Sequence, residues 1–357
     1  MLRTPHHTAP RHPAGRFRGA GARMLAVAAT VTALGAAGTV VSHATESDGG
    51  HPAVSPTPPA VFPQPGGGPV AIQALVTARQ EESYLLDPTT GDYRALPYSY
   101  LQLSPDGRTV VVEQFDGEAK YALAERGALL RDGEQALRPI DLPPGTLHWS
   151  PDGTALLTTT LDKNTRQFTV HRYDVATGRL RHTPVALACD ICTAGWAADS
   201  RRYVVSVRGA DPQMPSALAQ YLNPDGTPGP MLGSGADGFV YGAEAYSPSR
   251  RYVILEPARP FGPGELTNDK LPRVYDLRAR RVVATIHTAH PLLGWYDNRH
   301  VVRLAVTDDE VPDTIEVVHI HTGRVTRRVA AAGLPPAVSI QLGSTAGLSR
   351  IAATRGF

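Results

Sequence analysis

The chain has 357 residues, 42% of them hydrophobic, with 35 basic and 33 acidic side chains. That is ample for a packed core and excludes a wholly disordered protein. Five arginines (Arg3, Arg11, Arg16, Arg18 and Arg23) and no acid fall in residues 1–44; without them 30 basic residues face 33 acidic ones, a balance of −3. The rest of the chain is therefore near neutral, which excludes a nucleic-acid footprint.

Residues 1–23 form a basic N-terminus. Met24–Val41 is an 18-residue run without a charge, and the first acid, Glu46, lies beyond it. As a helix the run reaches about 27 Å, close to the ~30 Å of a bilayer core. The arginines before it hold the N-terminus inside. Ser42-His43-Ala44 supplies small residues at a cleavage site, so residues 24–44 read either as a signal-anchor or as a signal peptide cleaved after Ala44. The length of the run favours the anchor. Either way the sequence predicts export, with single-pass display of the remainder at the cell membrane or secretion. Residues 45–69 hold seven prolines and a Gly66-Gly67-Gly68 run. Such a segment cannot pack and is expected to be a disordered linker.

From residue 70 onward a repeat takes over. Ser104-Pro105-Asp106-Gly107 recurs as Ser150-Pro151-Asp152-Gly153, with degraded copies beginning at Ala197, Ser247, Tyr296 and Gly343. The spacings are 46, 47, 50, 49 and 47 residues, a period that signals a repeat architecture. Proline pre-sets the first turn position, glycine takes the left-handed one, and β-branched runs flank both, so each copy reads as a hairpin. A second hairpin signal lies between the first. Tyr173-Asp174-Val175-Ala176-Thr177-Gly178 is its clearest copy, with relatives beginning at Tyr84, Tyr121, Tyr221, Tyr275 and Val318. Two hairpins per period make four strands per period, which is a propeller blade. The expected fold is all-β: a six-bladed β-propeller of four-stranded blades over residues 70–357, preceded by one N-terminal hydrophobic helix and the linker. The first outer hairpin precedes the first inner one, so the end of the chain must complete a blade begun at its start. Ile72–Thr77 and Arg350–Thr354 compete for that blade's second strand.

The Ser-Pro-Asp-Gly turns at 104–107 and 150–153 and the run at 173–178 resemble those of the TolB-type, WD-repeat-like β-propellers. The resemblance covers about four-fifths of the chain. It implies protein–protein contact at a propeller face or mouth and transfers no ligand residue, because the matched residues make turns.

Candidate site residues come from the inner strands. Two positions before each turn stand Gln102, His148, Gly195, Ala245, Gly294 and Gln341. These are polar or tiny and are expected along the channel. One position before stand Leu103, Trp149, Trp196, Tyr246, Trp295 and Leu342, bulky enough to wedge between blades. Glu244 is the sole carboxylate on an inner strand. The binding candidates are thus Gln102, His148, Glu244 and Gln341. A lone Glu supplies neither a calcium cup nor a glycosidase pair, and no Gly-x-Ser-x-Gly elbow occurs. No catalytic residue, metal or cofactor is therefore assigned. Asp308-Asp309-Glu310 with Asp313 reads as a solvated loop, and His319 with His321 as the flank of a turn. Cys189 and Cys192, the only cysteines, are expected to form a disulfide in an exported protein. The functional expectation is a non-catalytic binding or scaffold propeller with a protein partner; the alternative is an envelope hydrolase or lyase using the channel.

Overall fold

The computed structural model describes residues 61–62, 70–77 and 82–344, except the segments 116–118, 163, 188–191, 209–216, 234–237, 241, 257–270, 289–291, 307–311 and 332–336. Met24–Val41 and the linker up to residue 60 lie outside the described residues. Among those described, no helix is long and apolar enough to cross a membrane.

The chain folds into six antiparallel sheets, one for each period of the repeat. Blade 2 holds Tyr100–Leu103, Thr109–Phe115, Ala119–Glu125 and Arg138–Ile140. Blade 3 holds His148–Trp149, Ala155–Leu161, Phe168–Asp174 and Leu180–Pro184. Blade 4 holds Cys192–Trp196, Tyr203–Arg208, Ala217–Leu222 and Pro228–Met231. Blade 6 holds Leu292–Trp295, His300–Val306, Pro312–His319 and Val325–Ala330.

Blade 1 closes the ring with strands from both ends of the repeat region. Ala337–Ser344 is its inner strand and pairs antiparallel with Val70–Thr77, which in turn pairs with Ser83–Leu86 and so leads to Tyr93–Leu96. The second strand of the closing blade therefore comes from the N-terminal side; Val61–Phe62 also pairs with it.

Each sheet is apolar on both faces because each is covered on both. Val110, Val111 and Val112 are all fully buried; Val110 and Val112 pack toward blade 1, Val111 toward blade 3. Six apolar clusters fill the six junctions between neighbouring blades, including Ile72, Leu75 and Tyr84 of blade 1 against Val302, Leu304 and Ile315 of blade 6. That last junction makes the ring closed, and closure removes the exposed sheet edges of an open β array.

Two departures from four plain strands per blade stand out. In blade 2 a helix, Arg126–Asp132, and a 3-10 turn, Gly133–Ala136, interrupt the outer hairpin. In blade 5 only Tyr252–Leu255, Arg273–Asp276 and Arg281–Thr285 form a continuous sheet. The place of its inner strand is taken by a 3-10 turn, Ala243–Ala245, flanked by two isolated bridges, Phe239 with Glu256 and Tyr246 with Val253.

The inner turns fold as their composition dictates. The Ser104 hydroxyl donates to Asp106 Oδ1 at 2.6 Å and accepts from Thr109 N at 2.9 Å. The copy at Ser150 repeats both bonds at 2.7 and 2.9 Å. Gly107 and Gly153 take φ of 71° and 73°, and the degraded copies put Ser200 and Arg250 at 57° in the same place. Each of these two residues links its turn to another: Ser200 Oγ accepts from Asp152 N, and Arg250 Nη2 donates to Pro151 O. The lost glycine is exchanged for a tie along the rim.

Candidate functional site

The residues one position before each inner turn do wedge between blades, and most also donate a hydrogen bond to the preceding one. Trp196 Nε1 donates to His148 O at 3.0 Å, Tyr246 Oη to Trp196 O at 2.6 Å, and Trp295 Nε1 to Ala245 O at 2.9 Å. Trp149 Nε1 reaches Gln102 O at a longer 3.4 Å. Leu103 has no such side chain. There the backbone N–H of Leu103 donates to Gln341 Oε1 of the closing blade at 2.7 Å. Every one of these bonds ties a strand end to the strand on its neighbour, and together they hold the axial wall in register.

Inside that wall lies a cavity of about 630 Å³, within the range of small-ligand sites. Its walls come from inner segments of blades 1, 2, 3, 5 and 6, and the inner turns at Ser104–Gly107 and Ser247–Arg250 form its edge. Two β-bulges shape it. Gln73 is the extra residue where Ile72 pairs with Leu342 and Ala74 with Gln341, and Leu293 is the extra residue between Leu292 and Gly294. A bulge re-aims a side chain, and both Gln73 and Leu293 line the cavity.

Three of the four sequence candidates meet here: Gln102, Glu244 and Gln341. His148 does not. Its strand is only two residues long, its side chain is buried at 8% exposure, and burial pulls its pKa down to about 4. Gly294, Leu103, Trp149, Tyr246, Trp295 and Leu342 also touch the cavity, so the wedging set is not wholly interior.

Glu244 sits in the 3-10 turn of blade 5, exposed to the cavity yet surrounded by protein. This desolvation raises its pKa to about 7, against a smaller opposite effect from its own backbone N–H. Two glycines lie beside it: a Cβ on Gly242 (φ 60°) would overlap the Glu244 carboxylate, and one on Gly294 would make an ordinary contact with Glu244 Cβ at 3.6 Å. Tyr100 lies near enough for the Glu244 charge to contribute to its raised pKa, after desolvation and Tyr121. Asp106 and Arg250 also line the cavity. Asp106 Oδ1 is engaged by Ser104 Oγ and Arg108 N, and Arg250 by Pro151 O and Ala198 O.

Gln73, Asp106 and Arg250 were not among the sequence candidates. Gln73 had one signal, a lone amide in the apolar run Val70–Thr77. It is buried, and its Oε1 accepts from Arg126 Nη1 at 2.7 Å. Arg126, itself buried, also donates to Leu86 O and so pins the inserted helix of blade 2 to the closing blade.

The remaining candidates resolve simply. Residues 308–310 lie outside the described residues, as does the side chain of Asp313. His319 ends its strand and its Nδ1 meets Thr322 Oγ1 at 3.2 Å, so it flanks the turn as expected. No group of three or more His, Cys, Asp or Glu side chains able to hold a metal occurs among the described residues. Cys192 opens the inner strand of blade 4; Cys189 lies outside the described residues.

No family model matches the chain, and no curated protein matches it. Solved structures do. The β-propeller domain of the Trilobed protease from Pyrococcus furiosus aligns at 14% identity over 77% of this chain and 86% of that one, with a TM-score of 0.46. A chain of a nidogen/laminin complex aligns at 9% identity over 77% and 99%, with a TM-score of 0.49. The acylaminoacyl peptidase of Pyrococcus horikoshii aligns at 13% identity over 77% of this chain, with a TM-score of 0.45, but this chain spans only 46% of the peptidase. At such identities the likeness concerns the fold alone.

Proposed function

We propose that this chain is a non-catalytic binding propeller, displayed outside the cytoplasmic membrane by Met24–Val41, that receives part of a protein partner at its cavity. The observation that carries this reading is the axial cavity, whose edge is built from inner turns and whose walls are locked by inter-blade hydrogen bonds. A rigid, preformed concave site suits recognition. The polar groups at its edge support binding over chemistry. The Ser104 hydroxyl and the Asp106 carboxylate are spent on holding a turn, and Ser247 Oγ likewise meets Ser249 Oγ and Tyr252 N. A nucleophile needs an adjacent base within hydrogen-bond reach, and no observation favours the hydrolase alternative. The turn motifs support placing the chain beside the TolB-type and WD-repeat-like propellers.

Site-specific photocrosslinking in intact cells tests the reading. A photoreactive residue at Pro105 or Pro248, both lining the cavity, should capture a partner. The same residue at Met231, exposed on the outer strand of blade 4, should not. Equal capture at all three positions, or capture only at Met231, overturns it.

A further inference from the structure

The cavity contains one carboxylate that forms no ion pair among the described residues: the Glu244 carboxylate touches its own backbone N–H. Among the described residues Arg250 is the one basic side chain lining the same cavity, and its guanidinium is turned to the backbone carbonyls of Pro151 and Ala198. The carboxylate lies against Gly242, where a Cβ would overlap it. A carboxylate ringed by protein and left without a counter-ion is disfavoured in its charged form, and an incoming cation relieves that.

A second group has a fixed orientation. The backbone N–H of Leu103 can only donate, so the atom of Gln341 that meets it at 2.7 Å is the amide oxygen. The amide –NH₂ of Gln341 is left as a donor for a ligand. Trp149, Tyr246 and Trp295 complete the walls.

We propose that the cavity binds a ligand through an ammonium group seated on Glu244, with a nearby carbonyl or carboxylate oxygen held by the Gln341 amide: the chemistry of a peptide's free amino terminus or of a lysine side chain. This deepens the binding reading above and rests on it. The titratable and charged groups facing Glu244 across the cavity are Asp106, Arg250 and Tyr246, with Tyr100 close by. Arg250 and Asp106 carry opposite charges, which leaves Glu244 as the excess charge among these groups.

Binding of three tripeptide amides to the full chain tests the proposal: Ala-Ala-Ala with a free amino terminus, N-acetyl-Ala-Lys-Ala, and the neutral N-acetyl-Ala-Ala-Ala. Tryptophan fluorescence is the readout, because Trp149 and Trp295 line the site. At least one charged peptide should bind about tenfold or more tightly than the neutral one, the scale of a charge-assisted hydrogen bond. Which one binds separates the amino terminus from the lysine. Glu244→Gln should erase the preference, and Glu244→Asp, which keeps the charge, should retain it. Equal binding of all three peptides, a preference that survives Glu244→Gln, or no binding of either charged peptide overturns the proposal. Crosslinks at Pro105 and Pro248 in any of those cases leave the binding reading standing; their absence removes both.

Discussion

Replacing Trp196 by Phe removes one inter-blade hydrogen bond and part of a wedge. The indole is fully buried between blades 3 and 4, and its Nε1–H is the donor to His148 O at 3.0 Å. Phenylalanine removes one of the donors to that carbonyl, a loss of about 0.5–1.5 kcal/mol. It also empties roughly 40 Å³ of side-chain volume, worth about 1 kcal/mol at ~24 cal/mol per Å³. The expected loss is therefore about 1.5–2.5 kcal/mol. Trp149→Phe is the internal control. Its hydrogen bond is 3.4 Å long and only partly buried, so the loss should be about 1–2 kcal/mol. Tyr246→Phe deletes only the hydroxyl that reaches Trp196 O at 2.6 Å and isolates the hydrogen-bond contribution at about 1–3 kcal/mol. Urea unfolding of the three variants, with m held as a check on two-state behaviour, reads these values. The reasoning fails if Trp196→Phe costs no more than Trp149→Phe, or if Tyr246→Phe is neutral.

Three further predictions follow from single residues. Glu244 has a folded pKa of about 7, above its ordinary 4.5, so folding favours its protonated form: its stabilising contribution is full below pH ~4.5 and is lost as pH rises through ~7. The bare shift corresponds to about 3 kcal/mol, which water in the cavity reduces to about 1 kcal/mol; Glu244→Gln should thus gain about 1 kcal/mol over wild type at pH 8 and nothing at pH 4.5, and a pH-independent difference in unfolding free energy refutes this. Glu316 is buried between Arg303 and Arg328, its Oε2 2.7 Å from Arg303 Nε and its Oε1 2.8 Å from Arg328 Nε. Burial raises its pKa, but those bonds and charges outweigh it and hold the group below its ordinary value, so the stability it gives is present above pH ~4.5 and lost as pH falls through the folded value. Glu316→Ala should cost about 3 kcal/mol at pH 7 and less at pH 3 in chemical unfolding; a constant cost contradicts the assignment. Cys189 and Cys192 should be joined in the exported protein, and Cys→Ser at both should cost no more than about 2 kcal/mol because the loop is short; two alkylatable thiols in non-reduced mass spectrometry refute the bond.

The blade count was legible because its signals are local. Ser-Pro-Asp-Gly makes its own turn from bonds within six residues, so period and phase survive wherever the turn chemistry does, and even Ser200 and Arg250 keep the backbone of a lost glycine. The helix Arg126–Asp132 was missed although Ala128, Leu129, Leu130 and Arg131 are good helix formers, because the hairpin signal at Tyr121 was read as running straight on. The second strand of the closing blade could not be chosen from sequence, since its competitor was equally β-forming; pairing with Ala337–Ser344 is a long-range fact. Gln73 stayed hidden for a similar reason. Its place in the cavity depends on a bulge, and a bulge depends on register with a partner more than 260 residues away.

Glu244 itself was legible by position but not by conformation, and the difference bears on what it does. Had blade 5 kept a regular inner strand, residue 244 would occupy one step of an alternating ladder. Instead the segment pairs with its sheet at Phe239, turns once as a 3-10 helix after Gly242 at φ 60°, and pairs again at Tyr246. This forfeits ladder hydrogen bonds and leaves a carboxylate without a counter-ion among the described residues, two local losses. Yet Tyr246 and Trp295 tie the same segment firmly to blades 4 and 6, so the irregular turn is held in place by its neighbours. Natural sequences break local rules chiefly where a site requires it. The one blade whose inner strand is missing is the blade that places a carboxylate in the axial cavity, and that coincidence is what singles out Glu244 among the residues lining it.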